Sequence, residues 1–171
     1  MSPRRSTTVL TMLLLSVLAS PAQEVHVSQA QGHVVLSVTA QQPYQLMMGE
    51  PKRPVLSVEC AQKGKKAGHV VTLRLGTTLA EDNDKTGLQL LTLNIDGQSH
   101  ETTWMSYGDT VTFAYFGKTE PERVAFIQLL QASKTVAIEF KPFLTGIPVT
   151  TVFQVDKLRD EISKHPECIA K

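Results

Sequence analysis

From Pro54 onward, apolar and polar residues alternate with the period of two that a half-buried strand requires. Val55 to Cys60 is a short strand, and a turn with Lys63, Lys65, Lys66 and Gly68 follows it. His69 to Leu75 returns with Val71, Leu73 and Leu75 set against Thr72 and Arg74. Leu91, Leu93 and Ile95 alternate with Thr92 and Asn94, and Asp96-Gly97 separates them from Gln98 to Trp104. Asp-Gly between two such runs predicts a tight hairpin, because both turn positions need positive φ. Val111 to Phe116, Thr135 to Phe140 and Val149 to Val155 are further strands. Upstream the pattern is weaker. His33–Thr39 and Tyr44–Met48 have strand composition, but Gln-rich stretches, Pro43, Pro51 and Pro54 interrupt them, so this part predicts one strand and a loose arm.

Two segments change period. Thr119-Glu120-Pro121-Glu122 has the layout of a capping box, with Pro in the tolerated first turn. Val124, Phe126, Ile127, Leu129 and Leu130 then form an apolar arc that should pack on a sheet. Asp156 is the expected cap of a final helix carrying Leu158 and Ile162, which Pro166 stops. About eight strands, two helices and no repeat predict an α+β domain dominated by an antiparallel sheet or sandwich. Residues 1–22 form a leader, 23–53 an N-terminal arm or edge strands, and 54–171 a single β-rich domain.

The leader sets the compartment. Arg4 and Arg5 precede an apolar run from Val9 to Leu18 and a small-residue site at Ser20-Pro21-Ala22, the layout of a secretory signal peptide cleaved near Ala22. The run is too short to span a bilayer, and no later run approaches that length. Loss of both arginines takes the net charge from +1 to about −1, which excludes a nucleic-acid binder needing a basic face. In an oxidising compartment, two cysteines far apart in sequence read as a bridge. A Cys60–Cys168 disulfide closes a loop of about 108 residues and stabilises the fold by ~4–5 kcal/mol through loop-closure entropy. A redox pair would be a close C-x-x-C, which the chain lacks.

Candidate chemistry is sparse. His26, His33, His69, His100 and His165 accompany many serines, but there is no G-x-S-x-G elbow and no H-E-x-x-H. Asp82, Asp84 and Thr86 with Gly87 match the opening of a calcium loop, yet the twelfth position is Leu93 where a bidentate Glu belongs. The alternative for that stretch is a solvated acidic turn. Lys63, Lys65 and Lys66 are candidates for an anionic contact, or simply solvated charges guarding a strand edge. Trp104, Tyr107, Tyr115, Phe116 and Phe143 are the aromatics available to a binding face. Trp104 is a candidate surface residue whose size favours the core. Phe143 and Leu144 sit in an unusually apolar loop, Lys141 to Pro148, that is either an interaction surface or folds back over the sheet end.

One order of features has a counterpart. Cys60 ends a strand, Asp96-Gly97 and Trp104 follow, then Phe126-Ile127 with Leu130, Val136 to Phe140, Phe153 with Leu158, and Cys168. Across about residues 54–168 this resembles the type VI secretion-associated periplasmic proteins and exported bacterial proteins of the same build. Asn94 and Lys157 depart from the Arg and Gly usual in that pattern. The resemblance implies an envelope location and the bridge.

The residues together point to a periplasmic or secreted, non-catalytic binding or accessory module of the bacterial envelope, with no cofactor and an envelope protein or surface as partner. A hydrolase of wall or glycan substrates and a calcium-stabilised structural module are the rival readings.

Overall fold

Among the described residues, alternation of buried and solvent-facing positions resolves into nine strands of one antiparallel sheet. The computed structural model describes residues 24–30, 32–47, 49–61, 68–80, 87–113 and 119–169. In chain order the elements are β1 (Val25–Ala30), β2 (His33–Thr39), β3 (Val55–Ala61), β4 (Val70–Arg74), β5 (Leu88–Ile95), β6 (Gln98–Tyr107) and β7 (Thr110–Phe113). Helix α1 (Glu120–Ala132), β8 (Thr135–Phe140), β9 (Val149–Gln154), helix α2 (Asp156–Lys164) and a 3₁₀ turn (Pro166–Cys168) complete it. The spatial order is β1-β2-β3-β4-β7-β6-β5-β8-β9. The sheet curls, so that the Gln41 amide just beyond β2 donates to the Val152 carbonyl of β9 at 2.9 Å.

One face of every central strand supplies the core. Val34, Leu36 and Val38 of β2, Leu56, Val58 and Cys60 of β3, and Leu91, Leu93 and Ile95 of β5 are buried, as are Val136, Ile138 and Phe140 of β8. The helices close over this face with Phe126, Ile127 and Leu130 of α1 and Leu158 and Ile162 of α2. Each such side chain contributes about 1.5–3 kcal/mol through its burial.

The turns follow local chemistry. Asp96 (φ 47°) and Gly97 (φ 88°) form the two-residue turn between Ile95 and Gln98, as Asp-Gly predicts. Thr119 starts α1, and the Glu122 carboxylate accepts hydrogen bonds from its amide and its hydroxyl. Cys60 and Cys168 are bonded, 108 residues apart, with their Cα atoms 4.9 Å from each other. The bridge ties the C-terminal turn to the end of β3.

Three expectations are corrected. The N-terminal stretch holds two strands, and β2 is internal, paired with both β1 and β3. Of the expected Tyr44–Met48 strand, the described residues 44–47 form none. Tyr44 exchanges backbone hydrogen bonds with Lys52, while its hydroxyl donates to the Leu75 carbonyl and its ring meets Phe140 edge-on. Asp156 is the first helical residue of α2, with Val155 in the capping position. The expected leader, residues 1–22, lies outside the described residues.

Candidate functional site

The two ends of the sheet carry different chemistry. At one end lie the start of β2, the end of β3, the start of β4, the N-terminus of α1 and the Cys60–Cys168 bridge. His69 is buried there. Its Nδ1 and its backbone amide both meet Glu120 Oε1, the amide at 3.1 Å, and its Nε2 meets the Glu167 carbonyl at 2.7 Å. Arg123 holds the other Glu120 oxygen, with its Nε donating at 3.0 Å. Burial pushes the Glu120 carboxyl up, but hydrogen bonds from the His69 ring, Arg123 and the His69 amide, with attraction to His69, bring it down to about 2.

This cluster looks like a dyad and is wired as a clamp. Both nitrogens of His69 are engaged, so neither is placed to take a proton from a nucleophile. It fastens β4, α1 and the C-terminal turn to one another. Sequence reading singled out His69 only as one histidine of five, because its partners are 51 and 98 residues away.

The opposite end is where β2 and β8 finish and β3, β5 and β9 begin. Large apolar side chains are exposed there. Phe143, Leu144 and Ile147 are 63, 72 and 64% exposed in the β8–β9 connection. Met47, at the tip of the excursion between β2 and β3, and Tyr107, where β6 ends, are both over four-fifths exposed. Leu90 of β5 is more than half exposed. Among the described residues, Val27 is the one large apolar side chain more than about a third exposed that lies away from this end.

The β8–β9 connection is held rather than loose. The Phe143 amide donates to Thr78 at 2.9 Å, the Gly146 amide to Pro142 at 2.8 Å, and the Ile147 amide to Thr145 Oγ1 at 3.3 Å. Backbone hydrogen bonds thus fix the loop while its apolar side chains stay in water, the opposite of what folding alone favours.

The candidate residues separate accordingly. Phe143 and Leu144 are on this surface. Trp104 is not: it is 1% exposed, packs edge-on against Phe126 at 6.0 Å, and donates from Nε1 to Thr102 Oγ1 at 2.7 Å. Its ring is a core element, which removes it from any interaction surface. Lys63, Lys65 and Lys66, the acidic residues Asp82 and Asp84 with Thr86, and Tyr115 and Phe116 lie outside the described residues. Among the described residues no group of three or more His, Cys, Asp or Glu side chains is arranged to hold a metal. No helix among them is long and apolar enough to cross a membrane.

No protein-family model, no curated protein and no solved structure matches this chain. The resemblance to the type VI secretion-associated periplasmic proteins therefore rests on the sequence features alone.

Proposed function

We propose that the protein is an exported, non-catalytic binding or accessory module of the bacterial cell envelope, acting in the periplasm or outside the cell after removal of its leader. The carrying observation is the exposed apolar set of Phe143, Leu144 and Ile147 on a hydrogen-bonded loop, with Met47 and Tyr107 at the same end of the sheet. Apolar side chains held rigidly in water lose little entropy on contact and gain from desolvation, which suits a partner-binding surface. The disulfide fits an oxidising compartment.

The test is site-specific photo-crosslinking in intact cells of the native host. A crosslinker replacing Leu144 captures one envelope protein reproducibly, one replacing outward-facing Ser37 does not, and Phe143→Ser abolishes capture by the first. Equal capture from both positions, or none in a processed and exported sample, overturns the reading.

A further inference from the structure

The outermost strand, β1, is wet on both faces. It pairs with β2 alone, in an unbroken register from Val25 opposite Val38 to Ala30 opposite His33. His26, Val27, Ser28 and Gln29 are all exposed. Val25, Val27 and Gln29 stand opposite Val38, Leu36 and Val34, which are buried, so they belong to the core face of the sheet. Val27 is nevertheless 39% exposed, and the core face runs on past its cover.

Peptide groups in a strand alternate in direction, and this decides where those of β1 point. The Ala40 amide donates to the Pro54 carbonyl at 2.8 Å, so even-numbered residues of β2 bond toward β3 and odd-numbered ones toward β1. His33, Val35 and Ser37 stand opposite Ala30, Ser28 and His26, which therefore bond back to β2. The N–H and C=O groups of Val25, Val27 and Gln29 point away from the sheet, and none of them has a hydrogen-bond partner among the described residues. Free edges are ordinarily guarded by charge, proline or a bulge. Val25–Ala30 has none of the three. The opposite edge differs, because the Gln41 amide already takes the Val152 carbonyl of β9.

We infer that β1 pairs antiparallel with β1 of a second copy, joining the two sheets about a two-fold axis at Val27. The strand is self-complementary in that register. Val27 meets its own mate and Val25 meets Gln29 of the second copy, each pair exchanging main-chain hydrogen bonds, while His26 stands opposite Ser28 on the other face. Any other centre leaves Val25, Val27 or Gln29 opposite a position outside the strand. A net charge of about −1 after loss of the leader opposes the approach of two copies little. With the β9 edge already engaged by Gln41, the contact closes at two copies instead of running on into a fibre. The inference rests on removal of the leader ahead of Glu24, and it sets two apolar ends in one particle, where the binding-module reading has one.

The protein is expressed with its leader and recovered after export, and its N-terminus is read by mass spectrometry. Sedimentation equilibrium then gives a dimer. Val27→Pro, which removes an outward N–H and no bond to β2, weakens self-association at least tenfold, and Val27→Lys does the same with the backbone intact. Both variants keep the parent's near-ultraviolet circular dichroism, and Phe143→Ser leaves self-association unaltered. A sample mixed from ¹³C-labelled and unlabelled protein shows an NOE between the Hα of His26 in one copy and the Hα of Ser28 in the other, a contact that residues two apart on one strand cannot make. A monomer throughout, association that Phe143→Ser abolishes, or association without the His26–Ser28 contact overturns the inference. A processed monomer whose crosslinking from position 144 is still abolished by Phe143→Ser leaves the binding-module reading standing. A monomer that retains residues 1–22 overturns both.

Discussion

The carboxylate of Asp96 accepts hydrogen bonds from the amide and the hydroxyl of Thr135, at 2.8 and 3.0 Å. The Lys134 amide joins them, so the turn between β5 and β6 is stitched to the first residue of β8. These donors hold the Asp96 carboxyl below its usual value. Asp96→Ala removes them all and also puts a poorly suited residue at φ 47°. Its expected outcome is a lower melting temperature, with hydrogen exchange faster at Lys134 and Thr135 than elsewhere in β8. Asp96→Asn, which tolerates the left-handed turn, loses less.

The Glu120 clamp makes stability sensitive to acid. The carboxyl titrates near 4.5 when unfolded and at about 2 in the fold, so the unfolded chain binds more protons between those values. Its contribution is complete above about pH 4.5 and is lost as pH falls toward 2. With the carboxylate 39% exposed, screening limits it to on the order of 1 kcal/mol. Glu120→Gln lowers the neutral-pH melting temperature and flattens its fall between pH 4.5 and 2. A thermal melt at each pH reads both effects.

Trp104 and Phe126 couple the sheet to α1. Trp104→Ala leaves a cavity and costs about 3–5 kcal/mol, measured by urea unfolding. Trp104→Phe keeps the ring contact with Phe126 and costs less, although Thr102 Oγ1 loses its donor.

Reduction of Cys60–Cys168 releases a closure spanning 108 residues. The expected loss of unfolding free energy is ~4–5 kcal/mol, read from urea transitions with and without reductant or from the paired serine variant. Hydrogen exchange should rise first at the C-terminal turn and at the end of β3, where the bridge attaches.

Much of this architecture is written locally. Asp96-Gly97 announces its hairpin because few other residues accept two positive φ values, and Thr119 with Glu122 announces α1 because the cap is a four-residue pattern. The cysteine pairing follows from there being only two cysteines, far apart in sequence, behind an expected leader. β1 escapes notice because Val25–Ala30 mixes polar and apolar residues on an edge, where alternation is weakly enforced. Tyr44–Met48 misleads through its composition, since Tyr44 is fixed by its hydroxyl and ring rather than by a ladder. The site was half legible. The loop at Phe143 and Leu144 is unusual on its own, but its company with Met47 and Tyr107 depends on strand direction across the whole sheet. The pairing of residues 78–80 with 141–143, beyond the stretch where β5 meets β8, is likewise a long-range match that no local pattern encodes.

The covalent bridge sits at the end of the sheet away from Met47, Tyr107 and Phe143. Mutational drift at that far rim therefore leaves the tether untouched, and the same fold can exchange one contact surface for another without being refounded. The protein is in this sense a bolted frame with a replaceable faceplate, and related chains should differ most where residues 44–52 and 143–147 lie.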